Sequence, residues 1–164
     1  CPVPTIAAIT GVCTGGGAGI AACCDMRIAT RSLKYGFPIA RTLGNCLSAA
    51  TLARLVSLLG EATVIDMLYT SRLIEADEAL RIGLVNEVVE DHDALVARSD
   101  ALARQIAGHA PLTLRVTKEL LRRLRHRLPV VDDDDLIGMV YTSADFKEGM
   151  AAFLEKRKPN WQGR

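Results

Sequence analysis

Four glycines, Gly15, Gly16, Gly17 and Gly19, crowd one short stretch, Gly11–Asp25. The apolar run Thr5–Ile9 enters it and a run of small residues leaves it. Glycine permits positive φ and lets another group come close to the backbone. After a strand and at the start of a helix, such a loop aims unpaired N–H groups at whatever docks there. The helix dipole favours negative charge at that end. The chemistry this allows is capture of a carbonyl oxygen that gains charge during a reaction, with the backbone as donor. The glycines alone equally fit a tight strand-to-helix turn with close packing and no ligand. Two phosphate sites are excluded by spacing: no G-x-G-x-x-G triple lies within Gly11–Gly19, and no Gly-Lys-Ser/Thr follows. A nucleotide-binding or redox role therefore loses ground to carbonyl binding.

Other reactive side chains carry less. The five cysteines, Cys1, Cys13, Cys23, Cys24 and Cys46, are odd in number and lack zinc-like spacing. Adjacent Cys23 and Cys24 diverge on a strand or helix, so they are expected not to pair. Buried free thiols in a reducing cytosol are the expectation, which makes the protein cytoplasmic. His92, His109 and His126 are scattered and none neighbours a cysteine pair, so no metal site is expected. The net charge of +1 gives no general field to gather phosphates, and nucleic acid is not an expected partner. No apolar run approaches membrane-spanning length, and the N-terminus lacks the charged-then-apolar form of a signal peptide.

The elements that must position the glycine loop follow from patterning. At 164 residues with 49% hydrophobic but only 4% aromatic content, one domain with an aliphatic core is expected. Thr5–Val12 reads as a buried strand, Ala18–Cys24 as a short helix and Asp25–Thr30 as an alternating strand. In that strand Met26, Ile28 and Thr30 oppose Arg27 and Ala29. Lys34–Phe37 reads as a third strand closed by Pro38, completing a compact α/β unit. Ser48 caps a helix with Leu52, Leu55, Val56 and Leu59 on one face and Gly60 as its stop. A further helix holds Ile65 and Leu68. Glu75–Ile82 is a helix stopped by Gly83, and Leu84–Val89 a strand. A long helix starts at Asp91 or Asp93 and runs through Ile106. Pro111 then opens a helix towards His126. Helices over Asp133–Thr142 and Asp145–Lys156 end the chain before Pro159. Phe146, Met150 and Phe153 share a face, as core or subunit interface. The run Asp132–Asp135 reads as a solvated helix start. The chain opens directly on Cys1-Pro2-Val3-Pro4 and an apolar strand. Because buried parallel strands normally have neighbours from preceding chain, a front portion is expected to be absent.

Four ordered segments resemble the crotonase superfamily, the enoyl-CoA hydratase/isomerase family. They are Pro4–Gly11 with Gly15-Gly16-Gly17 and Cys24–Ala29, then Tyr35-Gly36-Phe37-Pro38, then Glu78–Asn86, and finally Asp145–Arg157. The resemblance implies an α/β fold: the C-terminal part of a ββα spiral over residues 1–108, then a helical trimerisation region over residues 109–164. It implies a homotrimer or hexamer and an acyl-CoA thioester ligand, with no separate cofactor because CoA enters as part of the substrate. The thioester oxygen is held by two backbone N–H groups, of which Gly16 supplies one; the other comes from an earlier segment not in this chain. Gly15, Gly17, Pro38, Ile39 and Asn45 fall at substrate-binding positions. Lys156 falls near the CoA phosphates, while a basic helix end complementing the dipole is the alternative reading of Arg157 and Lys158.

Departures from the family pattern bear on the reaction. A family hydratase uses two glutamates as general acid and base around a water. By motif match those positions are Gly19 and Ile39, neither of which moves a proton. The segment Leu43–Ser48 is loosely similar to that of 4-chlorobenzoyl-CoA dehalogenases, where an aspartate nucleophile falls about where Cys46 stands. Beside a helix N-terminus, Cys46 reads either as a thiol of lowered pKa acting as nucleophile or acid/base, or as a small buried residue. Arg41 and Asn45 read as acyl-group contacts or as turn and surface residues. Two functions stand: an acyl-CoA enzyme that stabilises a thioester enolate, or a non-catalytic binding or oligomerisation subunit of the same fold.

Overall fold

The apolar run at the N-terminus forms β1 (Ile6–Ile9), and β2 (Val12–Thr14) follows it. The single strand expected over Thr5–Val12 is thus two, because Gly11 takes φ +66° and turns the chain between them. The Gly11 N–H donates to Ser32 Oγ, and its carbonyl accepts from the Lys34 N–H. The chain continues through α1 (Gly16–Cys23), β3 (Met26–Thr30), β4 (Lys34–Gly36) and α2 (Ile39–Thr42). The computed structural model describes residues 1–125 and 132–164; His126 lies outside the described residues. These fall into two compact units. One takes in Cys1–Tyr35 with the described part of Ile74–Val130, and the other Gly36–Leu73 with the described part of Val131–Arg164.

In the first unit β1, β3 and β6 (Glu87–Val89) form a parallel sheet, with Ile6 opposite Met26 and Ile28 opposite Glu87. A second sheet has the order β2-β4-β5, where β5 (Ile74–Glu75) runs antiparallel to β4 with Tyr35 opposite Ile74. The successions β1-β2-α1 and β3-β4-α2 are therefore ββα units that send their first strands to one sheet and their second to the other. This is the α/β spiral that the resemblance implied. The helix α6 (His92–Ala107) lies against β1 and β3, and Leu95 and Leu102 pack on Ile28 with Ile6, Met26, Val89 and Ile106 around them. Asp91 caps α6 by accepting the Ala94 N–H. The helix α7 (Pro111–Arg125) is tied to the N-terminal segment by Lys118, whose Nζ donates to the Val3 carbonyl and to Asp25 Oδ2. Burial pushes the Asp25 carboxyl up, but hydrogen bonds from Lys118 and Thr5 outweigh it and hold the group below its ordinary value.

The alternation read into β3 does not hold: Arg27, Ile28, Ala29 and Thr30 are all buried. Both faces of this central strand are covered, as in parallel sheets generally. Arg27, only 4% exposed, reaches α1. Its guanidinium donates to the carbonyls of Leu84 (2.5 Å), Cys24 (2.6 Å) and Ala21 (3.3 Å). Its peptide is bracketed by Asn86, which accepts the Arg27 N–H through Oδ1 and donates its own N–H to the Arg27 carbonyl. That exchange occupies the position where the expected strand Leu84–Val89 would begin, and pairing starts only at Glu87. Ahead of it, α5 (Ala76–Arg81) is followed by Gly83 at φ +76°.

The second unit is helical. Ser48 Oγ accepts the Thr51 N–H to start α3 (Ala49–Leu59), and Gly60, at φ +79°, ends it and opens α4 (Glu61–Tyr69). Leu55 and Leu59 are buried as expected, but Val56 and Ile65 are exposed, and Val64 and Met67 fill the α4 contact instead. The last helices are α8 (Asp134–Thr142) and α9 (Ala144–Leu154). In α9 the buried residues are Gly149 and Ala152, whereas Met150 and Phe153 face outward, so the aromatic stripe is not core within this chain. Asp133, read as part of a solvated run, turns inward to accept the Ala49 N–H at the start of α3.

Arg27 bridges β3, the end of α1 and the turn before β6, so its loss takes a donor from three carbonyls, of which Ala21 keeps the Cys24 N–H. We expect Arg27→Met to destabilise the fold by about 3 kcal/mol, with Arg27→Lys recovering part of the loss. Urea midpoints at constant slope measure it.

Candidate functional site

The glycine loop is built as a helix start with nothing in front of it. Gly15 is the N-cap of α1 with φ 56° and ψ −126°, a backbone conformation that only glycine adopts at low cost. Having no side chain, it caps none of the first-turn N–H groups, and α1 carries no acidic residue in that turn. Helix geometry leaves the N–H groups of Gly16, Gly17 and Ala18 without intrahelical acceptors. The first bond of the helix is the Gly19 N–H to the Gly15 carbonyl, at 3.1 Å. A Cβ built on Gly15, Gly16, Gly17 or Gly19 meets no atom within 4 Å. Close packing against the loop, the reading that needed no ligand, is therefore not why these residues are small. α1 instead packs through Ala18, Ala21 and Ala22. Tyr35 Oη donates to the Ala18 carbonyl in the first turn, and Arg27 holds the carbonyls at the other end. The axis of α1 is thus anchored at both ends, and a cation sits at its negative pole.

In the second unit, Pro38 is the N-cap of the single turn α2, which starts at Ile39. The Ile39 carbonyl accepts the N–H groups of Leu43 (3.0 Å) and Gly44 (2.8 Å), so Ile39 is stitched to the loop that follows. Arg41 is exposed. Asn45 donates through Nδ2 to Tyr141 Oη at 3.2 Å, while its buried Oδ1 has no partner among the described residues. Cys46 is half-buried, and its thiol is pushed up by burial and by the Asp133 carboxylate. That goes against the reading of Cys46 as a thiol of lowered pKa and agrees in direction with the reading of it as a small, partly buried residue. Burial is the larger cause, and Asp133, which already occupies the anion position at the start of α3, adds to it. Nor are the thiols buried as expected: Cys1 and Cys23 are exposed, and Cys13, Cys24 and Cys46 are half-buried, because α1 turns its alanines inward.

Lys156 follows α9 in an unusual conformation, φ +54°. Its N–H donates to the Phe153 carbonyl, and the Arg157 N–H donates to the Ala152 carbonyl. This is the Schellman arrangement, in which glycine normally fills the left-handed position. Arg157 is committed within the chain, to Glu148 and to Glu155, while the Lys156 side chain is exposed. The hydrogen bonds from Arg157, and then the Asn160 N–H, pull the Glu148 carboxyl down to about 2. Patterning did not mark Asp133, Tyr141 or Trp161 as neighbours of the Leu43–Ser48 segment. Asp133 was one of four consecutive aspartates, and the other two are distant in sequence.

The spiral of ββα units and the open helix start define a crotonase-type protein, and similarity to known proteins agrees. The profile of the enoyl-CoA hydratase/isomerase family matches residues 1–164. A crotonyl-CoA hydratase of Syntrophomonas wolfei is 39% identical over 162 residues, 96% of this chain and 61% of that protein. A short-chain-enoyl-CoA hydratase of Clostridium acetobutylicum is 35% identical over 94% of this chain and 60% of its own length. A methylmalonyl-CoA decarboxylase in complex with 2-nitronate-propionyl-CoA superposes with a TM-score of 0.91 at 32% identity, covering 99% of this chain and 64% of that one. The chain belongs to the enoyl-CoA hydratase/isomerase family of the crotonase superfamily. It spans about three fifths of the length of the curated relatives it matches.

Two outcomes follow from the end of α9. Lys156→Gly relieves a left-handed side chain and should raise stability by about 0.5–1 kcal/mol in thermal unfolding. The Glu148 carboxyl lies below its ordinary value of 4.5, so the stability it contributes is fully present above that pH. It is lost as pH falls through about 2. Glu148→Gln should flatten acid unfolding in that window.

Proposed function

We infer that the protein binds an acyl-CoA thioester and stabilises its enolate, with the Gly16 N–H as one donor to the thioester oxygen. The observation that carries this reading is the uncapped, unfilled start of α1 within a family whose named relatives act on CoA thioesters. An oxyanion gains from a preorganised donor and from the helix dipole, at roughly 3 kcal/mol for each donor. Gly15 and Gly17 shape the approach. Pro38, Ile39 and Asn45 are assigned to the acyl side, and the exposed Lys156 to the CoA phosphates. Backbone donors need no separate cofactor, since CoA arrives with the substrate. The exposed faces of α7, with Leu112, Val116 and Leu120, and of α9, with Met150 and Phe153, support assembly as a homotrimer or hexamer. Five free thiols support a reducing compartment such as the cytoplasm.

Hydration by a pair of glutamates is not part of this reading. With Gly19 and Ile39 at those positions, the chain's own groups favour reactions in which the enolate forms without a paired acid and base. Loss of CO₂ from a 2-carboxyacyl thioester is of this kind: the electrons of the breaking C–C bond pass to the thioester oxygen, and a proton then adds at carbon. The likeness to a methylmalonyl-CoA decarboxylase supports testing such thioesters first. The double absence at Gly19 and Ile39 also favours a second reading, a non-catalytic crotonase-fold subunit.

Gly16→Pro separates these possibilities cleanly. Proline is tolerated at the first helical position, so the substitution deletes the N–H while leaving α1 able to form. Gly16→Ala retains the donor, and its Cβ meets open space. The expected outcome is thioester turnover that free CoA inhibits, lost on Gly16→Pro by about a hundredfold or more and kept by Gly16→Ala. Turnover of none among enoyl-, hydroxyacyl-, haloacyl- and 2-carboxyacyl-CoA, in an intact assembly, would establish the non-catalytic reading. Binding that is indifferent to free CoA would remove both.

A further inference from the structure

Leu43, Gly44 and Asn45 are each held by the C-terminal helices or the tail after them. Leu43 is crossed by α9 so closely at Gly149 that a Cβ there would strike the Leu43 carbonyl. Gly44, at φ +64°, has the edge of the Trp161 ring against its α-carbon, where a Cβ would lie 2.9 Å from the ring. Asn45 donates to Tyr141 Oη, and the Tyr141 ring packs on Phe146 with centroids 4.8 Å apart. Trp161 is itself fastened by main-chain bonds on both sides. The Asn160 N–H donates to Glu148 Oε1, and the N–H groups of Gln162 and Gly163 donate to the two oxygens of Asp145 at 2.7 and 2.8 Å. The Arg164 carbonyl accepts the Asp145 N–H. Four tail residues, Asn160, Gln162, Gly163 and Arg164, therefore fix one ring against one glycine.

Stability alone accounts poorly for what this arrangement holds. The turn keeps a buried acceptor, Asn45 Oδ1, without a partner among the described residues. An unmet buried acceptor costs about 1–3 kcal/mol. A turn pinned at three successive residues while carrying that cost is shaped for a contact rather than for packing.

We propose that Trp161 is a positioning residue which, through Gly44, sets the Asn45–Cys46 turn and thereby selects the acyl group of the bound thioester. This rests on the thioester reading above. Trp161 does not meet the reacting atoms; it acts by denying the turn its alternative conformations, with Asp145 and Glu148 as the fastening for the tail.

The test uses the full chain with Trp161→Ala, Trp161→Phe and Asp145→Asn. Trp161→Phe keeps a ring at Gly44, and Asp145→Asn loosens the tail without touching the ring, so folding of one variant does not decide the matter. The first readout needs no substrate: the alkylation rate of Cys46 by iodoacetamide, mapped by peptide mass against exposed Cys1 and Cys23. We expect a severalfold rise at Cys46 alone in Trp161→Ala and Asp145→Asn, and little change in Trp161→Phe. The second readout is the ratio of kcat/KM for two thioesters that differ only in the acyl group. We expect Trp161→Ala to shift that ratio by about tenfold, the scale on which a pocket discriminates small groups. A Cys46 rate that stays at the wild-type value, or equal losses on both thioesters, overturns the proposal. Should the wild-type protein bind no thioester at all, the function inferred above falls while the Cys46 rates still decide whether Trp161 sets the turn. As the only tryptophan in the chain, Trp161 also reports the turn by its emission.

Discussion

The buried guanidinium of Arg27 is the constraint on which the first unit depends. A charge taken out of water must be met by several acceptors at once. Here the acceptors include the end of α1 and the turn leading into β6. One side chain therefore fixes the helix axis relative to the strand it springs from. Tyr35 does the same at the other end through the Ala18 carbonyl. A helix of eight residues has little stability of its own. These two anchors make its first turn a fixed set of donors rather than a fraying end.

The second unit solves a different problem. Its short turn α2 is closed by bonds to the Pro38 and Ile39 carbonyls, while the loop after it is held by α8, α9 and the tail. Asp133 illustrates how local electrostatics depend on this arrangement. By accepting the Ala49 N–H it completes the cap of α3, and its charge adds to burial in raising the Cys46 thiol.

Much of this was legible in the residues, and what was not has identifiable causes. The caps announced themselves: Ser48, Gly60, Asp91 and Gly83 act where their side chains or backbone freedom suggested. The strands were harder. Gly11 split one apolar run into two strands, and Asn86 delayed β6 by pairing with Arg27. The inward side of β3 could not be read from alternation, because a strand covered on both faces buries even an arginine when carbonyls await it. The two-residue β5 and the single turn α2 are too short to leave a periodic signal. The glycine loop was recognised from its spacing, but only the open space around a Cβ at Gly16, Gly17 and Gly19 argues against a tightly packed turn among the described residues. Contacts such as Trp161 on Gly44 join residues more than a hundred positions apart, which no local pattern encodes.

Gly19 has a consequence of another kind. It does not adopt positive φ, and a side chain built there touches nothing within 4 Å. The backbone makes no demand for glycine at this place; inside a helix, glycine is even slightly unfavourable relative to alanine. The fold would accept a carboxylate, a hydroxyl or a methyl group with equal indifference. Folding of the described residues thus places no demand on the side chain at position 19. A scaffold of this kind can keep its architecture while the residue at this place changes, because nothing among the described residues packs against it.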